Sequence, residues 1–488
     1  MYTLTTKLKV FAIILMVLGA LLTAVGFYLA PADEAAVEQM LADQEAHGSG
    51  HGTEASTGES AAHGTEMEHG EAMSHEAEPH KETGYITDNS TELADEAHAD
   101  DLHPITPHEA EDHSGSHVEH LYHQLANRPW SAVYVACFFF FMIGLGTLAF
   151  LAIQKVSQAG WSPVLFRVME GISSYILPGG ILMFVLLLIS GLGLNHIFTW
   201  MEPGIDDPTS EAYDHIVAGK TAWLNIPWWL IRAGIFLVGW NIYRWNIRRF
   251  GLNQDDKPEG NIWYKKAFKH SAMFLVFFIV TESMMAWDWI LSFDPHWFST
   301  LFGWYVFASM IVSAITTIAL VTIFLKGKGY LEFVNDSHIH DLAKFMFGFS
   351  IFWTYLWFSQ FMLIWYSNIP EEVTYFVTRI EDYNLVFFGM VAINFLFPVL
   401  ILMNSDFKRV NWFVVTAGIF ILIGHYLDIF VMIMPGTVGG SWFIGFPEIG
   451  AFMFFAGLFL LYVFHTISKA PLLPKGDPFL GESKHFHY

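Results

Sequence analysis

What most constrains this chain is its series of long apolar runs. A helix rises about 1.5 Å per residue and the hydrocarbon core of a bilayer is about 30 Å thick, so crossing takes roughly 20 consecutive apolar residues. Ten windows qualify: about 9–30, 131–154, 172–196, 225–247, 268–292, 299–325, 342–367, 385–403, 411–434 and 448–468. The expected fold is an all-α integral membrane protein with about ten transmembrane helices. Beyond residue 130 most connections are short, which makes neighbouring helices antiparallel. The second to ninth windows fall into two sets of four, so two four-helix bundles with the first and last helices flanking them are expected. Lys7 and Lys9 precede the first window in the manner of a signal peptide. Its apolar core from Val10 to Leu29 exceeds the roughly 7–15 residues of a signal h-region, so residues 1–30 read as an uncleaved anchor.

The rest of the organisation follows from charge. Only 15% of the residues are charged, against about a quarter in a soluble domain, so most of the chain is not built for water. The net charge of −23 is local: residues 31–128 hold 23 Asp and Glu against Lys81 and Arg128, leaving about −2 for the remaining 390 residues. That tract is acidic and carries 13 histidines, with His-Gly-Thr-Glu at 51–54 and again at 63–66. It has too little apolar content to order itself and reads as a loop outside the membrane that lies against a partner. No paired-Cys or His-Glu-x-x-His spacing fixes a ligand geometry, so no metal site is assigned to it. Residues 129–470 form the multi-helix membrane domain and 471–488 a C-terminal tail. Nucleic acid would need a basic face, which is absent from the sequence. Cys137 stands alone, so the chain holds neither an internal disulfide nor a Cys-ligated cluster.

Orientation follows from Lys and Arg, which favour the cytoplasmic side of short loops. With the N-terminus inside, Lys7, Lys155, Arg167, Arg244, Arg248, Lys266, Lys326, Lys408 and Lys469 all fall inside, while the outer segments hold little beyond Lys81, Arg128, Lys220 and Arg379. Both termini are expected in the cytoplasm, with the acidic loop outside.

An ionisable side chain in hydrocarbon costs a few kcal/mol or more, so it marks a site or a pathway. The rise per residue places His196, Arg232, Asp288, His425, Asp428 and Glu448 at similar depth in the outer half, with Glu282 near the middle. Such a set reads as one functional cluster. His425 and Asp428 stand i,i+3 on one helix face, a pairing that can hold or move a proton. Glu282, Asp288, His425 and Asp428 are the candidate acid–base residues, with a route extending inward to Asp341 and Lys344. The tryptophans of the 353–362 stretch read as packing. The histidines matched in depth, His196 with His425 and His270 with His465, lack the repeated spacing of a two-haem cytochrome, so no haem is assigned.

Two stretches carry a resemblance. They are Ala-Trp-Asp-Trp-Ile-Leu-Ser-Phe-Asp-Pro-His-Trp-Phe-Ser-Thr-Leu-Phe-Gly-Trp-Tyr-Val-Phe (286–307) and Phe-Trp-Thr-Tyr-Leu-Trp-Phe-Ser-Gln-Phe-Met-Leu-Ile-Trp-Tyr-Ser-Asn-Ile-Pro-Glu-Glu (352–372). Over roughly 130–470 the chain resembles the F-type membrane subunit of bacterial alternative complex III, a quinol:cytochrome c/electron-acceptor oxidoreductase. Such subunits belong with the NrfD-like, polysulfide-reductase-like membrane proteins. The resemblance implies an inner-membrane complex with a paralogous C subunit, multihaem c-type cytochrome and iron–sulfur subunits, other complex subunits, surrounding lipid and a terminal oxidase. It implies a quinone pocket at His196, Arg232 and Asp288, matching the C-type histidine on the third helix and aspartate on the fifth. Where the C-type subunit has an aspartate on the fourth helix, this chain has Arg232. An arginine cannot take a proton from quinol; it should pair with Asp288 and hold it ionised. The reading is therefore a structural, proton-conducting subunit with a degenerate quinone pocket and no redox cofactor of its own. The rival classes are a proton-coupled secondary transporter, whose mark would be helices interrupted at equivalent positions of two halves, and a purely structural anchor.

Overall fold

In the computed structural model, which describes residues 2–48, 107–257 and 259–487, every regular element is a helix. Hydrocarbon offers no partner for a backbone N–H or C=O, so long apolar segments satisfy themselves by coiling. Nine helices among the described residues are long and apolar enough to cross a membrane. They are α1 (Thr6–Tyr28), α3 (Pro107–Val156), the α4–α5 pair (Phe166–Ser173 and Ile176–Gly191), α8 (Ile262–Trp289), α9 (Phe302–Gly327), α10 (Asp336–Ser367), the α12–α13 pair (Asn384–Val391 and Phe397–Leu402), α14 (Asn411–Val438) and α15 (Phe446–Ile467). A tenth, α7 (Ile226–Asp256), is long enough at roughly 46 Å, but Arg232, Asn241 and Arg244 dilute its apolar character. Short helices α2 (Glu34–Gly48), α6 (His215–Ala218), α11 (Pro370–Glu381) and α16 (Leu480–Lys484) complete the set. The chain is an all-α integral membrane protein of about ten membrane helices.

The chain divides into two compact units, Met1–Ala32 with Leu121–Tyr488, and Asp33–His120. The second contains α2 and the first turns of α3, helices that its composition did not predict; the Ala, Glu and Gln content of α2 favours them. Residues 49–106, with the repeated patches and seven of the histidines, lie outside the described residues, so the expected arm over a partner falls there.

In the larger unit the packing follows the two sets of four. α7 packs on α5 and α8, while α9 packs on α10 and α14, and α10 and α14 both meet α13. Helix α3 is the hub. Its Phe141 touches Trp240 of α7 and Trp289 of α8, Phe139 touches Tyr426 of α14, and Gly146 lies against Met310 of α9. The run Val135–Phe139 and most of the next three turns are buried accordingly. Helices α1 and α15 flank the sets and lie along each other. A Cβ on Gly19 would stand 2.4 Å from the Phe454 nitrogen, so only glycine allows that approach.

Each set contains one interrupted helix. The first breaks between α4 and α5, at Ser174 and Tyr175. The second carries a π turn at Ala392–Leu396 just before Pro398, whose missing N–H leaves the Asn394 carbonyl without its usual helical donor. The end of the bundle where α8 gives way to α9 is marked by Asp294. At the opposite end the last residues do not trail away as a tail. Gly476 donates to Asp255 at 2.9 Å, Ser483 to the Trp161 carbonyl at 2.7 Å and Asn335 to the Phe486 carbonyl at 2.6 Å, strapping three loops together.

Candidate functional site

The polar residues expected to form one cluster separate into distinct units. α7 and α8 are antiparallel neighbours, so Arg232, two turns into α7, comes level with Asp288, at the end of α8. Arg232 Nε donates to Asp288 Oδ2 at 2.7 Å and Nη2 to Oδ1 at 2.9 Å, a bidentate pair with both side chains buried. The Trp223 indole donates to Oδ1 at 2.8 Å, and Arg232 Nη1 donates to the Trp223 carbonyl at 3.0 Å. The guanidinium carbon lies 4.2 Å from the centre of the Trp223 ring, and the Trp229 indole holds the Asp288 carbonyl. Desolvating two ions costs several kcal/mol each and is offset only when the geometry is good and the remaining donors are satisfied. Here it is: both carboxylate oxygens are occupied. Protonating Asp288 would weaken the pair that holds Arg232.

The segment that supplies Trp223 is pinned at the same end. Asp214 bonds His296 at 2.5 Å, and Lys220 donates to the Pro295 carbonyl. Partial burial alone would raise the Asp214 carboxyl. The Val217 and Ile216 N–H groups and the contact with His296 outweigh that and hold it below the ordinary carboxylate range.

The second unit lies in the other set of helices. Asp428 of α14 accepts from the Tyr305 hydroxyl of α9 and, at 2.8 Å, from the Trp353 indole of α10. His425, one turn earlier, places Nδ1 2.9 Å from Ser309 Oγ and 3.5 Å from Asp428 Oδ2, with the Trp353 ring edge-on at 5.3 Å. Both are fully buried. In contrast to the first pair, this array is ringed by unsatisfied atoms. His425 Nε2, Ser313 Oγ, Ser350 Oγ, Thr316 Oγ1 and both amide atoms of Asn394 have no protein partner. Ser313 stands one turn beyond Ser309 and Ser350 one turn before Trp353, and Asn394 is pressed onto Gly424 beside His425. Ser313, Thr316 and Ser350 therefore lie on the side of His425 away from the Asp294 end, with Asn394 level with it. Buried polar atoms without protein partners are commonly satisfied by water, so this side is suited to a short hydrated file.

Beyond Tyr305, toward the Asp294 end, a cavity of about 80 Å³ is lined by Asp294, Trp297, Tyr375, Arg379 and Met432. Arg379 is buried and donates to the Tyr375 and Met432 carbonyls, while its Nε has no acceptor.

The remaining expected residues fall elsewhere. Glu282 is buried on α8 with Oε1 unpartnered and only a 3.5 Å contact to Ser283, and no hydrogen bond joins it to His425 or Asp428. His196 is exposed; its backbone is clasped by Asn127 and its ring meets His123 at 5.4 Å, so its contacts are not with the Arg232–Asp288 pair. Glu448 takes a bidentate bond from Arg128 at 2.8 and 2.9 Å and caps the start of α15 through Gly445 N–H, a structural duty. Asp341 and Lys344 pair with each other at 3.0 Å at the far end. Trp353, read as packing, is a hydrogen-bond donor to Asp428. Tyr305, Ser309, Asn394 and Arg379 were not singled out, although Tyr305 and Ser309 stand i,i+4 on an otherwise apolar helix, a signal that was available.

Fold and site together define a multi-pass α-helical membrane protein in which the Arg232–Asp288 ion pair and the His425–Asp428 array are separately wired. No family model matches the chain, and no curated protein matches it.

Proposed function

We propose that this chain is a membrane subunit of a respiratory quinol oxidoreductase of the alternative complex III type, with a structural and proton-conducting role. In this reading it sits in the bacterial inner membrane with both termini cytoplasmic. Haem and iron–sulfur centres belong to its cytochrome and cluster-bearing partners, and quinol oxidation to the paralogous C subunit. The two aromatic-rich motifs support the assignment. The closed Arg232–Asp288 pair supports moving quinol chemistry elsewhere, because a saturated carboxylate is a poor acceptor for the protons of quinol.

The observation that carries the proton-conducting role is the Ser309–His425–Asp428–Tyr305 array with its open imidazole nitrogen. In this mechanism His425 takes a proton at Nε2 from the Asn394 and Ser313 side and releases one from Nδ1 toward Asp428 Oδ2. Closing the 3.5 Å gap needs only a small ring rotation. Tyr305, bonded to Asp428 one turn below Phe302 of the cavity wall, is the group through which the proton leaves toward the cavity beside Arg379. Glu282 stands off this line and is not required by it. The test is proton movement per electron in the reconstituted complex. Asp428→Asn and His425→Gln should lower it while quinol oxidation persists. Unchanged stoichiometry and rate in both would leave these residues a structural role only.

Interrupted helices in both sets favour the rival reading of a proton-coupled transporter. The interruptions, however, fall in the second helix of one set and the third of the other, not at equivalent positions, so they support it less.

A further inference from the structure

A membrane-facing groove of about 590 Å³ runs between α5 and α7, and neither ion-pair unit uses it. Its walls are Ile181, Phe184 and Val185 on one side and Leu237, Val238 and Ile242 on the other. Gly234 leaves it open in the middle: a Cβ there would meet only Phe184, at 3.9 Å. The groove ends at Arg244 and Trp245. Arg244 lies 18 residues after the start of α7, about 27 Å along the axis, which is the depth at which hydrocarbon gives way to headgroups. Trp245 is exposed there, as interfacial tryptophans are, and Arg249 lies over its ring at 4.9 Å.

The charge at this end is unanswered. Arg244 Nε is buried without an acceptor, and among the described residues Arg244 makes no ion pair or hydrogen bond. Asn241 Oδ1, one turn away, is also unpartnered. Arg248, the next turn on, is held by the Glu170 and Thr466 carbonyls; the Glu170 carboxylate near it is already bonded by Arg167 at 2.5 Å, so Arg248 still adds positive charge. A half-buried cation without a carboxylate partner is best answered by an anion supplied from outside, and the attached apolar trough calls for a chain on that anion.

We propose that the α5–α7 groove is a binding site for one anionic phospholipid, with an acyl chain over Gly234 and the phosphate on Arg244. Zwitterionic lipids carry a cationic group that the Arg244, Arg248 and Arg249 cluster disfavours, so the site selects net negative headgroups.

The test uses the full chain with whatever subunits purify alongside it, washed in phosphatidylcholine micelles and analysed for retained lipid by mass spectrometry. The wild type should retain about one more anionic phospholipid per chain than Arg244→Gln. Gly234→Leu, which fills the trough without touching a charge and replaces a helix glycine by a good helix former, should lose it as well. Arg244→Lys should recover part of the retention. Phosphatidylglycerol vesicles should raise the thermal midpoint of the wild type and of neither loss variant, whereas phosphatidylcholine vesicles should raise none. Equal retention in the wild type, Arg244→Gln and Gly234→Leu would overturn the proposal. So would an isoprenoid quinone, or a helix of another subunit, found in the groove.

Discussion

Two buried Asp residues in this molecule sit in opposite electrostatic conditions. The Asp288 carboxylate has an arginine and an indole, with a donor on each oxygen; Asp428 has a phenol, an indole and a histidine whose far nitrogen has no protein partner. Both are removed from water, so burial does not distinguish them. Saturation does. A carboxylate bound in a bidentate pair is held to its arginine, because taking up a proton would strand that cation. A carboxylate approached by an imidazole and by hydroxyls lies on a chain of donors and acceptors along which a proton can pass. The first set of helices thus holds a static strut, and the second holds the array that can work.

The comparison breaks most readily at Asp288. Asp288→Ala should leave Arg232 buried and unpaired, costing about 3–5 kcal/mol, read as a fall in the thermal midpoint of the detergent-solubilised protein. Replacing both partners with apolar residues, Arg232→Met with Asp288→Leu, should recover most of that loss. If the single variant costs no more than an exposed substitution would, the pair is not the strut described here. The matching experiment in the second set has a smaller stability effect and a larger functional one. Trp353→Phe removes one donor to Asp428 and should cost about 1–3 kcal/mol. Gly424→Ala should sharpen this further. The added Cβ would stand 2.0 Å from Asn394 Oδ1, so Asn394 must move, at about 1–3 kcal/mol for the strain. Proton transfer should slow in Gly424→Ala although no titratable group has changed.

Much of this is legible in the sequence. The spans follow from run length, and the Arg232–Asp288 meeting follows from two charges at equal depth on consecutive antiparallel helices. The single outer cluster was not sound, because depth fixes height along the bundle but not azimuth. Glu448 turns to Arg128, His196 to His123, and the two acid pairs face different helix sets. Trp353 was read as packing because an indole's hydrogen bond depends on which helix face its ring meets, and a Trp-rich stretch has several. Arg379 counts in the sequence only as an outer-loop cation, because a charge on the short helix α11 looks like one; only folding buries it against Tyr375. The strap formed by residues 471–487 is hidden for a similar reason, since its bonds reach partners more than 140 positions away.

The smallest effect concerns how Trp223 is kept over the first pair. Asp214 has its carboxyl held below the ordinary range by N–H donors and His296, so folding favours its ionised form. A depressed carboxylate contributes stability that is fully present above its unfolded value, near 4, and is lost as pH falls through the lower folded value. Acidification through that window should therefore loosen the 205–224 segment before it reaches the bundle. Hydrogen exchange across 205–224 should rise as the pH falls, while the amides around Asp288 stay protected. Asp214→Asn should flatten the pH dependence, because its amide can still accept from the Val217 and Ile216 N–H groups but no longer titrates. Because Asp214 is partly exposed and His296 about half exposed, solvent screens the contact and the change should be modest. If the amides around Asp288 open in step with the segment, then Trp223 is part of what holds the ion pair shut, and the strut depends on its cover.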